Sequence, residues 1–268
     1  MSAITIIRPG EAARLDPSSS GFAHGFGIFE TMRVSDGHLA FWQRHWQRLL
    51  RSAEALGLDC LIDPDEALSA IRELASELGS DATVKLSLLK EADSSCLFVY
   101  SRPRSDRPES TGLMIDRQSV LNDRSPLAGH KTHNYTENLI LLAAAREAGC
   151  YDAARFNTKG LLAEACISNL FLVVDGALRT PDILTGLLPG VIRGVLLDTI
   201  EIGVTACSLE DLTRAEAVYL TNTSHGVLPV EWLSYGGVRT RLQSAEHPVL
   251  EKMQVTLKAQ ADAEAVVL

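Results

Sequence analysis

Apolar residues recur at three- and four-residue steps through FWQRHWQRLLRSAEALGL (41–58). Trp42, His45, Trp46, Leu49, Leu50 and Ala53 then share one side, which predicts an amphipathic helix ended by Gly57. A second helix is predicted from DPDEALSAIRELASELG, where Asp63 caps the free amides, Pro64 occupies the first turn and Gly79 closes it. The pattern then changes to short β-rich runs: ATVKLSLL (82–89), CLFVYS (96–101) and LMID (113–116). DRQSVLNDRSPLAG (116–129) is polar, contains Pro126 and Gly129, and reads as a linker.

Beyond the linker an apolar, alanine-rich helix is predicted over 134–149, closed by a glycine. DAARFN and a glycine turn at TKG follow, then a hairpin in NLFLVVDGALRTP that turns at VDGA. LLPGVIRGVLLDTI gives a turn feeding a helix that begins near Gly190. AEAVYLTNTSHGVLPV reads as a strand and a small-residue loop, and HPVLEKMQVTLKAQADAEA as a C-terminal helix. Helices and strands are segregated rather than alternating, so the expected class is α+β in two parts. An N-terminal domain is expected over 1–118 and a C-terminal domain over 119–268, with Lys131 opening the second part.

Composition narrows the function classes. The chain has 268 residues, 46% hydrophobic and 22% charged, with no run of eighteen apolar residues, so nothing in it reads as a membrane span. A net charge of −9 disfavours a nucleic-acid surface, although local basic groups and backbone amides can still hold a small anion. The start MSAITIIRPGEAARLD lacks the features of a secretory signal, which predicts a cytoplasmic protein. Cys60, Cys96, Cys150, Cys166 and Cys207 are odd in number and scattered, with neither a CxxC pair nor a histidine at ligand spacing. They are expected to be buried, reduced thiols rather than disulfides or zinc ligands.

Four features carry candidate chemistry. Lys131 lies at a segment boundary, flanked by His130, His133, Asn134 and Tyr135; Glu164 precedes an apolar strand; GLLPGVIR opens a helix whose free amides suit a phosphate; Arg48 lies on an apolar-faced helix. Each has an ordinary reading as well. A lysine near a helix start is commonly a solvated charge, Glu164 can cap a turn, LPGVIR can be a plain helix start, Arg48 a surface arginine with a buried stem, and His45 a satisfied core histidine.

Taken in order, GFGIFETMRV, HWQRLLRSAEALGL, HKTHNYTENL, GLLAEACISNLFLV, TPDILTGLLPGVIR and TNTSHGVLPV resemble the successive signature blocks of the class IV, or fold-type IV, pyridoxal-phosphate enzymes. The resemblance covers roughly residues 20–235. That family includes branched-chain and D-amino-acid aminotransferases and aminodeoxychorismate lyase. The resemblance implies a smaller N-terminal α/β domain, a larger C-terminal pseudo-barrel domain, a homodimer, and a small-molecule amino substrate. It implies that Lys131 forms the Schiff base with the pyridoxal 5′-phosphate aldehyde, for which its amine must be neutral and partly desolvated. Glu164 matches the carboxylate that pairs with the pyridine nitrogen, and Arg48 the phosphate arginine. The backbone of Val191 and Ile192 and the hydroxyl of Thr223 complete the phosphate cradle, and Tyr135 falls near the ring hydroxyl. Two positions depart from the pattern: Ile192 stands where a threonine is common, and Phe26 replaces Asp in a GDG step.

The reaction stays open between a lyase, forming 4-aminobenzoate and pyruvate from 4-amino-4-deoxychorismate in folate biosynthesis, and an aminotransferase of branched-chain or D-amino acids. The short chain, Asn222 in the TNTSHG loop, and the lack of an arginine-rich motif after VKLSLLKEADSSCLFVY lean toward the lyase. His24, Asn222 and Ser224 are the candidate substrate contacts, and Lys90 is the one cation near that strand's turn. A relative without cofactor, acting as a scaffold, is disfavoured because it has no physical need for both Lys131 and Glu164.

Overall fold

A computed structural model describes residues 3–78, 81–103, 106, 108 and 111–268. Gly79, expected to close the second helix, lies outside the described residues. The first part of the chain runs β1 (Ala3–Ile7), α1 (Ser20–Ala23), β2 (Gly27–Ser35), β3 (His38–Leu39), α2 (Trp42–Leu56), α3 (Pro64–Ala75), β4 (Asp81–Lys90) and β5 (Ser95–Arg102). Then come β6 (Gly112–Leu121), α4 (Thr136–Glu147), β7 (Asp152–Asn157), β8 (Leu162–Ala165), β9 (Asn169–Val174) and β10 (Ala177–Pro181). The chain ends with α5 (Val191–Thr199), β11 (Gly203–Thr205), α6 (Leu209–Thr213), β12 (Ala217–Asn222), β13 (Gly226–Pro229), β14 (Trp232–Tyr235), β15 (Val238–Arg241), α7 (Val249–Ala263) and β16 (Val266–Val267).

Two compact units result. The first holds the described residues before 106, together with His130–Asn134 and Ala261–Leu268; the second holds the described residues of 106–129 and Tyr135–Gln260. This differs from a single cut after residue 118, and Lys131 belongs to the first unit rather than opening the second. The physical reason is backbone pairing. Phe29 N–H donates to Lys131 C=O (2.8 Å), His133 N–H donates to Gly27 C=O (2.9 Å), and Ile28 bridges Thr132, so residues 131–133 dock on β2.

The first unit has a six-stranded sheet in the order β1-β5-β4-β2-β3-β16. Strand alternation sends Ile28, Met32 and Val34 of β2 and Leu86 and Leu88 of β4 to one face. They form one core with Trp42, Trp46 and Leu49 of α2 and with Ile71 and Leu74 of α3. Helix α2 matches its apolar spacing and ends at Gly57, whose φ of 68° is the left-handed conformation glycine adopts freely. Asp63 caps α3 by accepting from Asp65 N–H, and the helix stops at Ala75.

The second unit contains sheets β11-β10-β9-β12-β13 and β15-β14-β6-β7-β8. The predicted hairpin is β9–β10, and its turn places Asp175 (φ 53°) and Gly176 (φ 71°) in the left-handed region, as a tight two-residue turn requires. The expected linker over 116–129 is a correction: β6 continues to Leu121. Its register with β7 slips between Ile115 and Val120, where the Asp116 carboxylate accepts from Gln118 and Ser119 N–H. A bulge held by a side chain reads in sequence as a polar break. Glu164 likewise lies within β8 rather than ahead of a single strand, since β9 starts separately at Asn169. Cys150, Cys166 and Cys207 are buried and Cys60 and Cys96 half-buried, all five as free thiols.

Leu86, fully buried at the centre of the first core, sets a stability prediction. Leu86→Ala is expected to cost about 2–5 kcal/mol of unfolding free energy by urea titration. A cost under about 0.5 kcal/mol would contradict this account of the core.

Candidate active site

In the first unit the site is built on β2. Its even positions face the helices, and among Ile28, Met32 and Val34 stands one acid, Glu30, only 1% exposed. Helix α2 presents His45 (0% exposed) and Arg48 (5% exposed) on the matching side, three residues apart. Arg48 donates from Nε to Glu30 Oε1 (2.8 Å) and from Nη2 to Oε2 (2.6 Å), and His45 Nδ1 meets Oε2 at 2.7 Å. Burial opposes the Glu30 charge, yet Arg48 and the hydrogen bonds from His45 and Arg48 outweigh it and hold the carboxyl at about 2. Burial pushes His45 down, toward neutral imidazole, and its Nε2 has no hydrogen-bond partner. Arg48 is therefore not a surface arginine with a buried stem; its guanidinium itself is buried.

On the opposite face of β2 lies Phe29. The Lys131 Nζ sits 4.5 Å from its ring centroid and the Lys85 Nζ 4.4 Å, and the His133 ring packs at 5.2 Å. Lys131 is half-buried. His130 Nδ1 meets Ser52 Oγ at 3.0 Å, and Asn134 donates to Gly25 C=O. His24, at the C-cap of α1, is exposed. Lys90 pairs with Asp59 at 3.7 Å.

In the second unit Glu164 accepts from Leu188 N–H (2.9 Å) and from Asn169 Nδ2 (3.4 Å), while Asn169 also donates to Leu188 C=O (2.9 Å). Two strand ends and the loop before α5 are thus tied to one carboxylate. A Cβ at Gly190 would overlap the Asn169 side-chain oxygen, so close approach requires glycine there. Gly190 is also the N-cap of α5 and no side chain caps that end, so the first-turn amides of Val191 and Ile192 have no side-chain acceptor. Tyr135 Oη donates to Cys166 C=O (2.7 Å), beside Asn138 (2.7 Å). Burial, then the Glu164 and Asp152 charges, push the Tyr135 phenol up.

Thr223 and Ser224 lie in the turn between β12 and β13, and Asn222 fixes that turn. Asn222 Nδ2 donates to Tyr151 Oη (3.2 Å) and Ser168 Oγ (3.1 Å), and its Oδ1 accepts from His225 N–H (3.0 Å). Both amide hydrogens are thereby used, which leaves a ligand one acceptor lone pair. Asp152 anchors the same network, accepting from Ala153 and Cys166 N–H (2.9 Å each) and from Ser168; burial pushes it up to about 6.

Sequence reasoning overlooked Glu30, Lys85, Asn169 and Asp152. Glu30 had a signal: an acid in an otherwise apolar alternation, with His45 and Arg48 on an apolar helix face. The others become visible only through register and loop closure.

A family profile described as amino-transferase class IV matches residues 27–232. The chain belongs to this family. Similar proteins include a probable branched-chain-amino-acid aminotransferase of Thermotoga maritima, 30% identical over 214 residues and covering 77% of each chain. An aminodeoxychorismate lyase of Bacillus subtilis is 26% identical over 267 residues, covering 87% of each. A crystal structure described as a putative 4-amino-4-deoxychorismate lyase from Legionella pneumophila superposes with a TM-score of 0.87 at 25% identity, covering 96% of this chain and 99% of that one. The fold is type IV, and this class IV enzyme uses pyridoxal 5′-phosphate. Each unit by itself holds groups of a kind that suits that cofactor: the first a half-buried lysine and a buried arginine beside an unpartnered imidazole nitrogen, the second an uncapped helix end and a fixed carboxylate. No helix among the described residues is long and apolar enough to cross a membrane.

The buried pair yields a pH prediction. Glu30 has a folded value of about 2 against an ordinary 4.5, so its contribution is fully present above 4.5 and is lost as pH falls toward 2. Glu30→Gln is expected to destabilise by about 3–5 kcal/mol at neutral pH, because it leaves the Arg48 charge uncompensated. The difference from wild type, followed by urea unfolding, is expected to shrink as pH drops from about 5 to 2. A constant difference across that range would assign the loss to packing instead.

Proposed function

We propose that this enzyme is a 4-amino-4-deoxychorismate lyase, forming 4-aminobenzoate and pyruvate, a step of folate biosynthesis. The supporting observation is the structural match: the putative L. pneumophila lyase superposes with a TM-score of 0.87 at 25% identity over 96% of this chain and 99% of that one, against 0.83 at 22% for an E. coli branched-chain amino acid aminotransferase. A second reading, a class IV aminotransferase of branched-chain or D-amino acids, draws on the higher identity, 30%, to the T. maritima protein. A homodimer belongs to the same proposal, from the family resemblance.

Pyridoxal phosphate, when bound, supplies an electron sink for bond breaking next to the carbon that carries the substrate amine. Lys131 would hold it through Nζ and, when displaced, move the proton at that carbon. Glu164, kept in place by Leu188 and Asn169, would face the ring nitrogen and keep it protonated. Arg48 is assigned to the phosphate, as are the amides of Val191 and Ile192 and the Thr223 hydroxyl. Ile192 supplies an amide but no hydroxyl. Tyr135 is assigned to the neighbourhood of the ring hydroxyl. Its high proton affinity keeps it a hydrogen-bond donor. His24 and Ser224 are assigned to the substrate, and Asn222 to the shape of the loop that carries Thr223 and Ser224.

The deciding assay adds enzymatically made 4-amino-4-deoxychorismate to the holoenzyme and measures 4-aminobenzoate and pyruvate. Equal amounts of both products are expected, with Lys131→Ala inactive and Glu164→Gln slowed at least about 100-fold. Transfer of the amino group from an amino acid to a keto acid, with no 4-aminobenzoate, would give the aminotransferase reading instead.

A further inference from the structure

We propose that Lys85 is a positioning residue that acts through charge: its ammonium, held against Phe29, repels the proton on Lys131 and favours the neutral amine that covalent attachment requires. This rests on the assignment of Lys131 to the cofactor.

The geometry comes from one strand. Phe29 pairs with Ser87 on β4, and Lys85, two residues along, lies on the same face as a diagonal neighbour. Thr132 bridges Ile28, which already pairs with Leu88 on β4, so Lys131 approaches Phe29 from the other edge of β2. Both ammonium groups are attracted to the one ring, which fixes two long side chains that would otherwise avoid each other. Their nitrogens are at most about 9 Å apart, with the buried Phe29 side chain beside both. At that range, with an effective dielectric of about 20, a like charge moves an amine's proton equilibrium by about one unit.

Among the described residues of this unit, Lys85 carries a charge that no carboxylate meets. From α2, Arg48 is matched by Glu30 of β2, and burial keeps His45 neutral. Within the Lys131 segment, burial and then the Lys85 charge hold His133 down at about 4, so it is uncharged at neutral pH. From β5, Arg102 is the further cation acting on Lys85, which burial and then Arg102 bring to about 8. Lys85 is therefore an ammonium at pH 7 and loses its charge above about pH 8. A like charge lowers the Lys131 proton affinity; removing that charge raises it.

The test uses Lys85→Met, which keeps the apolar stem, and Lys85→Arg, which keeps the charge. Trace labelling of the cofactor-free full chain with acetic anhydride across pH, read at the Lys131 peptide by mass spectrometry, reports the Lys131 proton equilibrium directly. In the holoenzyme, the pH midpoint of the visible cofactor band reports the same nitrogen once linked. Lys85→Met is expected to raise both midpoints by about one unit, while Lys85→Arg stays near wild type. Midpoints unmoved by Lys85→Met overturn the proposal, as does an equal shift in Lys85→Arg, which would mean packing rather than charge. A raised KM for an acidic substrate with unmoved midpoints would make Lys85 a substrate anchor and also overturn it. A labelling shift without any cofactor band in wild type would instead remove Lys131 from the cofactor, and the purpose proposed for Lys85 with it.

Discussion

Strand β2 is the constraint on which the rest depends. Its backbone binds β4 on one edge and residues 131–133 on the other, so the position of Lys131 is set by hydrogen bonds and not by its own side chain. Its alternation then divides the chemistry between two faces. Glu30 reaches the helices, and Phe29 faces Lys131 and Lys85. A one-residue slip would put Glu30 with the lysines and Phe29 in the core, which makes the register itself a functional feature.

The buried Glu30–Arg48 pair explains why an arginine can sit in a nearly apolar layer. Removing a guanidinium from water is costly unless a carboxylate meets it in bidentate geometry, and Glu30 does so with both oxygens. The price is rigidity, which suits a group assigned to a phosphate. In the second unit a comparable economy operates. Glu164 and Asn169 together tie β8, β9 and the loop before α5, and Asn222 fixes the turn that carries Thr223 and Ser224. Preorganised groups of this kind need no reordering when a ligand arrives.

Much of this was legible in the chain. Helix α2, its glycine stop, the Asp63 cap, the Asp-Gly hairpin and the α5 start at Gly190 are local signals, and each carries its own physics. The polar stretch after Asp116 was misread because a side-chain-held bulge has the composition of a loop. The unit boundaries were misplaced because residues 131–133 return to a strand about a hundred positions earlier, a pairing that no local window contains. Lys131, Glu164 and Arg48 stood out through ordered family blocks, whereas Lys85 had no signal beyond its place in a β-rich run. Its role emerges only once Phe29 is seen between two edges of β2.

The central claim is that β2 presents Lys131 to hold pyridoxal phosphate. Borohydride reduction of the purified protein with its cofactor, followed by proteolysis and peptide mass spectrometry, tests it most directly. The account predicts a single phosphopyridoxyl modification, on Lys131. Modification of another lysine, Lys85 or Lys90 for instance, with Lys131 unmodified, would contradict it.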